Sequence, residues 1–443
     1  MYVTELYVDR LKLLHEFTLK LVDPDGEPRM WTVLVGENGR CKTSVLKAIA
    51  LAASGGARAN ELAELAALPD RRATEPVTVR GTFALPKHPK RNYPGWPDER
   101  PAPTHLKSEL TMPAGLTSMR GSSGYVGKDG IDLTIAGEGG AIGDPLFEIR
   151  GADLPVWFVA GYGTTRVLPT PGSVEAPTNA SVARIRNLFD QGQLIGTGFA
   201  DLLEDSKHFS ALLRDALIGG GILPEEATGL ELRGRGGIRN SKDLVEGSRF
   251  TIRSGGEDMK IPATWLSQGF QSTIAWIADL LGHIVLETQT ETAPVPLAEI
   301  QGLVLIDEID LHLHPRWQVR LVAALKRVFP KVQFVVTTHS PMVLPALRQE
   351  EIVILDVDGD GDIVAHAPDS SPMLLTGSEI YQEFFGIDEL HPADLAHDRR
   401  RYGFLVGNPM RTDDEEREMQ QIRAKFQELG IDPGWEPVPR SAE

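Results

Sequence analysis

The sequence contains almost no cysteine: Cys41 is the only one among 443 residues. A single thiol excludes an intrachain disulfide framework and a metal site built from clustered cysteines. No stretch approaches the length of a membrane-spanning helix, and the N-terminal residues do not have the pattern of a signal peptide. The sequence therefore predicts a globular protein of the cytoplasm.

The chain also lacks an excess of positive charge. Its formal net charge is -17, so contact with nucleic acid would require a local basic surface. One candidate lies between residues 230 and 253, where basic side chains outnumber Glu231, Asp243 and Glu246. A solvated hairpin region is the simpler interpretation of the same pattern. The basic residues of this segment are Arg233, Arg235, Arg239, Lys242, Arg249 and Arg253.

A phosphate-binding loop is the most informative feature that the sequence does contain. Residues 36–44 read G-E-N-G-R-C-K-T-S, which matches the pattern G-x-x-x-x-G-K-[S/T] except that Cys41 replaces the second glycine. An apolar run of strand length precedes the loop, and a helical pattern follows it from Lys42 to Ser54. Backbone N–H groups and the helix dipole would bind a β-phosphate there. The nucleotide-binding residues predicted from the loop are Gly36, Asn38, Gly39, Arg40, Cys41, Lys42, Thr43 and Ser44.

The two residues that end the loop motif have different predicted roles. Lys42 would place a positive charge on the β- and γ-phosphates of a nucleoside triphosphate. The hydroxyl of Thr43 would bind Mg²⁺. The loop therefore predicts ATP and Mg²⁺ as ligands.

Cys41 leaves three interpretations open. A residue with a Cβ atom resists positive φ, so the substitution costs little in helical backbone and on the order of 1 kcal/mol in left-handed backbone. In the first interpretation the loop tolerates the cysteine, and in the second the cysteine slows ATP hydrolysis. In the third interpretation, oxidation of a thiol beside Lys42 at a helix N-terminus regulates the loop.

Two later segments supply the acids and the imidazole that a triphosphate site needs. Residues 302–315 read G-L-V-L-I-D-E-I-D-L-H-L-H-P, an apolar strand that ends in Asp307 and Glu308. Asp307 would hold Mg²⁺, and Glu308 would orient and polarise the attacking water. Residues 332–340 read V-Q-F-V-V-T-T-H-S, a second apolar strand followed by His339. The imidazole of His339 is predicted to bind and sense the γ-phosphate.

Residues 266–272, L-S-Q-G-F-Q-S, open a long amphipathic helix. Ser267 is a good N-cap, and the exposed N–H groups of such a helix bind anions. Four other segments accompany L-S-Q-G-F-Q-S: G-E-N-G-R-C-K-T-S, Y-G-T-T-R, L-V-L-I-D-E-I-D-L-H-L-H-P and T-T-H-S. Together the five segments resemble the RecF-like and SMC-like branch of ABC-type ATPases within the AAA family. They look most similar to OLD-family and Septu-type anti-phage defence ATPases.

This resemblance implies the fold and the domain organisation. The expected fold is α/β: a P-loop NTPase, ABC-type head with a mixed β-sheet lobe, a parallel core sheet and a helical lobe. The head would cover residues 1–354, with inserted β and helical segments at about 86–262. Residues 355–443 would form a hairpin plus a helical C-terminal extension.

The resemblance also implies how the site is assembled. Two ATP-bound heads would meet face to face, with each ATP between the P-loop of one head and the signature helix of the other. Asp310 would lie in the loop that couples the two sites, the D-loop, and Lys12 would lie near the nucleotide. The segment Tyr162 to Arg166 is the nearest candidate for a further loop beside the site. The residues that would act in trans are Ser267, Gly269 and Gln271.

The expected function is therefore a cytoplasmic, Mg²⁺-dependent ATPase that converts ATP and water to ADP and phosphate. It would form a homodimer or a higher homo-oligomer and control an effector such as a nuclease, in anti-phage defence or DNA maintenance, with DNA as a further possible partner. The alternative is a nucleotide-switched DNA- or protein-binding module with little ATP turnover. A transporter ATPase subunit is a third hypothesis, but such proteins usually carry D-E-P where this chain has D-E-I-D-L-H-L-H-P.

Three other interpretations are weaker. His312 and His314 could bind a metal together with His339, but neither His339 nor any other residue has convincing spacing for a third ligand. Asp356 to Gly361 resembles the start of a calcium loop, but position twelve would be Ala367 instead of the required Glu, so a hairpin turn is expected. The same acids could belong to a TOPRIM-type nuclease, which would need a further glutamate strand upstream.

Strand and helix patterns outside the motifs complete the prediction. Strands are expected at Val77–Leu85, Leu106–Met112, Ile131–Ile135 and Leu146–Arg150, with glycine-rich turns between the last three. Thr412 and Glu415 form a capping box for a last helix, with Met419, Ile422, Phe426 and Leu429 along one face.

Overall fold

The computed structural model describes most of the chain in two compact units, Met1–Leu374 and Leu375–Glu443. The predicted strand Leu146–Arg150 lies outside the described residues. The structure describes residues 1–62, 64, 67–70, 74–85, 96, 99–115, 118–128, 130, 132–135, 158–169, 180–190, 206–232, 237–239, 241–287, 295–387, 393–432 and 434–439.

The first unit is a mixed α/β structure. Its strands are β1 Tyr2–Asp9, β2 Phe17–Lys20, β3 Trp31–Val35, β4 Val77–Ala84, β5 His105–Met112, β6 Arg120–Val126, β7 Asp132–Ile135, β8 Val159–Tyr162, β9 Ala227–Leu232, β10 Ser248–Ser254, β11 Glu257–Ile261, β12 Gly302–Ile306, β13 Val332–Thr337, β14 Ile352–Val357 and β15 Ile363–His366. Its α-helices are α1 Lys42–Leu62, α2 Ala180–Phe189, α3 Ser206–Arg214, α4 Ser241–Val245, α5 Gln268–Glu287 and α6 Pro315–Val328.

An antiparallel sheet with the order β2-β1-β4-β5-β6-β7 packs one face against α1. The strand β6 occupies a segment that the sequence predicted to be a glycine-rich turn, so this prediction is wrong. A Cβ on Gly121 of β6 would lie 2.7 Å from the backbone nitrogen of Gly56 in α1. Glycine in this strand permits a close approach of the helix backbone. Because glycine is uncommon in strand interiors, the same residue made the strand hard to predict from the sequence.

The helix α1 is interrupted near the end that the sequence predicted for it. Gly55 has φ 75° and ψ 168°, which no regular helix contains. The predicted helix Lys42 to Ser54 is therefore confirmed, and the residues after Gly55 form a separate helical piece.

The core sheet has the order β15-β14-β3-β13-β12-β8, in which all neighbours are parallel except β14 and β15. Every residue of β3, β12 and β13 is buried, as expected for a parallel sheet covered on both faces. The carboxyl ends of parallel strands meet at one edge, where ligands bind in open α/β sheets. That edge receives the P-loop from β3, the Asp-Glu pair from β12 and the T-T-H-S segment from β13.

The helix α5 opens with the L-S-Q-G-F-Q-S segment and runs through the core. Contrary to the sequence prediction, the segment Gln268–Leu286 of this helix could cross a membrane by its length and apolar composition alone. However, 83% of this window is buried inside the protein, which is what the core helix of a globular protein shows.

The predicted basic segment lies on a separate sheet with the order β11-β10-β9. Arg233 and Arg235 lie outside the described residues, and two described charges of the segment, Arg253 and Glu231, are paired across the strands. Arg253 contacts Asp258 at 2.9 Å, and Lys260 contacts Glu231 at 2.7 Å. These exposed pairs favour the solvated hairpin over a surface for nucleic acid.

The second unit contains α7 Gly377–Phe385, α8 Ala393–Gly407 and α9 Asp413–Glu428. The predicted capping box is present, because Thr412 accepts from the N–H of Glu415 and Glu415 accepts from the N–H of Thr412. Met419, Ile422 and Phe426 of the predicted face are buried, whereas Leu429, just beyond the end of α9, is 55% exposed. The small core of α8 and α9 consists of Tyr402, Leu405, Val406, Met419, Ile422 and Phe426.

The predicted domain boundary between residues 354 and 355 lies inside β14. Because β14 pairs with β3 on one side and β15 on the other, the hairpin belongs to the core sheet. The first unit accordingly extends through the hairpin to Leu374.

Candidate functional site

The P-loop connects β3 to α1 and lies against β14. Gly36 has φ 148°, and a Cβ there would lie 2.4 Å from the carbonyl oxygen of Leu355. Only glycine fits this position without moving β14. The contact makes the hairpin strand one wall of the loop, which the sequence did not predict.

The side chain of Lys42 is buried inside the loop. Its Nζ donates to the carbonyl oxygens of Gly36 at 2.7 Å and Glu37 at 2.9 Å. Burial lowers the pKa of Lys42, and the negative charges of Asp307 and Glu308 oppose this shift. The ammonium group is thus held in the concave side of the loop, where phosphates would need a cation.

Cys41 has φ 58°, so the left-handed alternative is the observed one. Its carbonyl oxygen accepts from the N–H of Val45 at 2.9 Å, and its side chain packs against the core. Left-handed backbone costs an L-residue about 1–2 kcal/mol. The structure therefore accommodates cysteine in the conformation that glycine would adopt.

The outer part of the loop faces solvent. Glu37, Asn38 and Gly39 are exposed, and Gly39 has φ 83°. Arg40 contacts Glu37 at 2.7 Å and Asp356 of the β14–β15 hairpin at 3.6 Å. Asp356, weighed above as a calcium ligand, therefore pairs with a P-loop arginine.

A chain of hydrogen bonds joins the P-loop to the two neighbouring strands. Thr43 Oγ1 donates to Asp307 Oδ2 at 2.8 Å, and Thr337 Oγ1 donates to Asp307 Oδ1 at 2.7 Å. The hydroxyl of Thr337 also accepts from the N–H of Glu308 at 2.7 Å. Both carboxylate oxygens of Asp307 are thereby fixed, and one oxygen lies beside the Thr43 hydroxyl.

Glu308 has an unusual backbone. Its φ of 49° is left-handed, which a residue with a long side chain adopts only where the surroundings hold it. Its N–H is bound by Thr337, and its carbonyl oxygen accepts from Arg166 Nη2 at 2.7 Å. Sequence reasoning quoted the T-T-H-S and Y-G-T-T-R motifs but assigned no role to Thr337 or Arg166.

His339 is exposed just beyond the end of β13. Its neighbours on both sides are bonded to the segment that follows Glu308. Thr338 Oγ1 donates to Asp310 Oδ1, and Ser340 Oγ donates to Gln318 Oε1 at 2.6 Å. The backbone on both sides of His339 is therefore anchored to the predicted D-loop and to α6.

The predicted signature residues begin α5 and adjoin the D-loop. A Cβ on Gly269 would lie 2.5 Å from the carbonyl oxygen of His312, so glycine permits this close contact. Ser267 is exposed, and its carbonyl oxygen accepts from the N–H of Gln271 at 3.0 Å. The side chain of Gln271 donates to the carbonyl oxygen of Leu266 at 2.7 Å, so it stabilises its own loop.

Lys12 lies on the loop between β1 and β2, with φ 54°. Its charge contributes, after burial, to the lowered pKa of Lys47 in α1, while Asp307 opposes that shift. Lys12 therefore lies near Lys47 of α1, and its place near the nucleotide stays a prediction.

The oxygen ligands of the site fit Mg²⁺. Among the residues that the structure describes, no group of three His, Cys, Asp or Glu side chains is arranged around a metal position. The adjacent oxygens of Thr43 and Asp307 would hold the ion together with phosphate oxygens and water, which is the usual way proteins bind Mg²⁺.

Comparisons with known proteins agree with this geometry. A family model described as "AAA domain, putative AbiEii toxin, Type IV TA system" matches residues 181–344, a range that includes the signature, the Asp-Glu strand and T-T-H-S. Septu protein PtuA from Bacillus mycoides (strain KBAB4) is 29% identical over 301 residues, which cover 64% of this chain and 37% of that protein. The chain thus spans 37% of the length of this curated relative.

Two further matches are a shorter sequence match and a structural one. The Retron Vc95 probable ATPase from Vibrio cholerae serotype O1 biovar El Tor is 43% identical over 91 residues, which cover 20% of this chain and 17% of that protein. A solved SMC head bound to the C-winged helix domain of ScpA aligns with a TM-score of 0.44 and 15% identity, over 83% of this chain and 97% of that chain.

The predicted resemblance to ABC-type defence ATPases is confirmed by the sequence matches. The predicted fold is confirmed as well, because the antiparallel sheet, the largely parallel core sheet and several helices are all present. The described residues therefore have the mixed α/β fold that the sequence predicted for such a head.

Proposed function

We propose that this chain is a cytoplasmic, Mg²⁺-dependent ATPase that hydrolyses ATP to ADP and phosphate. The observation that carries the proposal is the direct contact of Thr43 with Asp307, two residues that are 264 positions apart in the sequence. This contact joins the phosphate-binding loop to the acidic strand end, where Glu308 follows. A strand–turn–helix without nucleotide function would not need both elements at one sheet edge.

The proposed roles follow from position and charge. Backbone N–H groups from Gly36 to Ser44 and the ammonium group of Lys42 would bind the β- and γ-phosphates. Mg²⁺, held through Thr43 and Asp307, would neutralise phosphate charge. Glu308 would accept a proton from the attacking water.

The exposed His339 would donate a hydrogen bond to the γ-phosphate. Its role depends on the rigid placement of its neighbours, since Thr338 and Ser340 are both bonded to other elements. A γ-phosphate contact would then be passed to Asp310 through Thr338.

We further propose that two copies of the head enclose ATP between them. The exposed start of α5 at Ser267 would approach the partner's nucleotide, with Gly269 allowing the close packing against the D-loop. Gln271 would act indirectly, because its amide already supports the loop before the helix. Asp310 would connect the two sites.

The biological role proposed here rests on the names of the similar proteins. By their names, one relative is a protein of a Septu system and the other is the probable ATPase of a retron. We propose that this chain likewise controls an effector protein, such as a nuclease, in anti-phage defence. DNA is a further candidate partner.

Replacement of the proposed base tests the ATPase. Glu308→Gln should retain ATP binding, lower turnover at least 100-fold and accumulate ATP-bound dimers, measured by phosphate release and by light scattering after size exclusion. Glu299→Gln is the matched control, because Glu299 is an exposed acid that pairs with Lys331 far from the loop. Normal turnover of Glu308→Gln would contradict the proposed role of Glu308.

A second candidate function is a nucleotide switch with little turnover. It is favoured by the left-handed Cys41, the one departure from the loop pattern. A wild-type protein that binds ATP and dimerises but releases no phosphate above the Glu308→Gln background would support this candidate.

A further inference from the structure

Arg166 is a buried arginine that contacts both sides of the site. It follows β8, and its side chain is enclosed, with 4% of the residue exposed. Nη1 donates to the carbonyl oxygens of Gly163 at 2.8 Å and Asp307 at 2.6 Å. Nη2 donates to the carbonyl oxygen of Glu308 at 2.7 Å. One guanidinium thus binds the backbone of both acidic residues.

These bonds explain how the strained backbone of Glu308 persists. A left-handed non-glycine residue requires surroundings that fix it. The N–H of Glu308 is held by Thr337, and its carbonyl oxygen is held by Arg166. The direction of the Glu308 side chain is therefore determined from two sides, and the planar fork of Arg166 supplies one of them.

The same guanidinium reaches the signature helix. Arg166 Nε donates to Ser272 Oγ at 3.2 Å, and Ser272 is a buried residue in the first turns of α5. Gly269 lies on that helix against the carbonyl oxygen of His312 in the D-loop. A small displacement of α5 would consequently act on Arg166, and through it on the backbone of Asp307 and Glu308.

The charge of Arg166 suits this position. Burial lowers its pKa to about 10, while the acids Asp307, Asp310 and Glu308 oppose the shift. The side chain therefore remains a cation near neutral pH. Its hydrogen bonds to the carbonyl oxygens of Asp307 and Glu308 tie the guanidinium to the backbone of both residues.

We propose that Arg166 is a positioning residue that couples the signature helix to the catalytic glutamate. In this proposal, which rests on the proposed ATPase dimer, the partner's nucleotide pulls on the start of α5. Ser272 then transmits the shift to Arg166, which sets Glu308 for water activation. Hydrolysis is thereby tied to head engagement.

Two substitutions test the coupling. Ser272→Ala removes only the link to α5 and should lower kcat about tenfold with KM within twofold of wild type. Arg166→Lys keeps the charge but loses the fork, and should lower kcat about 100-fold, since small misplacements of a catalytic group have effects of this size. Arg184→Lys is the control, because Arg184 is also buried but donates to the carbonyl oxygen of Val159, away from the site.

A further readout separates coupling from a purely structural role. Wild-type specific activity should rise with protein concentration as dimers form, and Ser272→Ala should lose most of that rise. In the Glu308→Gln background, Ser272→Ala should still bind fluorescent ATP analogues with unchanged Kd and still dimerise.

The outcomes distinguish this inference from the proposed function. If the wild type hydrolyses ATP and Ser272→Ala has unchanged kcat and concentration dependence, the coupling is refuted while the ATPase stands. A parallel loss of ATP affinity and kcat in Ser272→Ala also refutes it, because the residue would then serve binding. If the wild type does not hydrolyse ATP, the ATPase and the coupling both fail. Ser272→Ala decides the matter even if Arg166→Lys does not fold.

Discussion

Replacement of Thr337 by valine should destabilise the head and slow the reaction together. The side chain is fully buried, and valine preserves its shape. The substitution removes a donor to Asp307 Oδ1 and an acceptor for the N–H of Glu308, both at 2.7 Å. A hydrogen bond to a charged group contributes about 1.5–3 kcal/mol and a neutral one about 1 kcal/mol. We expect the free energy of unfolding to fall by about 2–4 kcal/mol.

The neighbouring strand offers a matched control with the opposite expectation. Thr32 lies in β3 opposite Val335 of β13 and is equally buried. Its hydroxyl has no hydrogen-bond partner among the residues that the structure describes. Removing a buried polar group without a partner costs little, so Thr32→Val should leave the stability unchanged or raise it by up to about 1 kcal/mol.

Differential scanning calorimetry and phosphate release measure the two effects. With an unfolding entropy of about 2 cal/mol/K per residue over Met1–Leu374, a loss of about 3 kcal/mol lowers the melting temperature by about 4 °C. Turnover should fall as well, because the strained Glu308 backbone loses one of its two anchors. Equal melting temperatures for Thr337→Val and Thr32→Val would refute the hydrogen-bond argument.

Three further substitutions are predicted to have measurable effects. Cys41→Gly should change ATP turnover less than about threefold and stabilise the protein by about 1 kcal/mol at most, because the backbone is already left-handed; a much larger rise in phosphate release would favour the switch hypothesis. Gly36→Ala should weaken ATP binding at least tenfold in an equilibrium titration, since its Cβ would overlap the carbonyl of Leu355, and unchanged affinity would contradict the close contact. Burial lowers the pKa of His283 from 6.5 to about 4, so only the unfolded state takes up a proton between these values. Unfolding free energy measured in urea should therefore fall by about 3 kcal/mol as the pH drops through this window, and His283→Gln should flatten that part of the curve.

The motif residues were largely predictable because their chemistry is local. An apolar strand followed by the loop pattern, and another followed by Asp-Glu, is visible without any tertiary information. The strands β3, β12 and β13 and the helix that begins at Lys42 agree with these predictions. The roles of the individual residues in binding and catalysis stay predictions.

Other parts could not be predicted because their cause lies in a distant segment. The strand β6 is rich in glycine and serine, and it forms a strand because it pairs with β5 and lies under α1. The sequence of β6 shows no apolar residue at Gly121, because this position has no side chain and the helix backbone approaches it closely. In the same way, the boundary near residue 354 is contradicted by pairing between β14 and β3, which are far apart in sequence.

Local sequence was sufficient to predict the ligand class, because backbone N–H groups at a helix N-terminus, a lysine and a hydroxyl are groups that bind phosphate and Mg²⁺. Tertiary structure alone decided how the acids are held. The left-handed backbone at Cys41 and Glu308 depends on neighbours supplied by other strands. The bonds of Arg166 to Glu308 and Ser272 join segments whose proximity only the folded core creates, since hydrogen bonds require contact, whereas a motif requires only spacing.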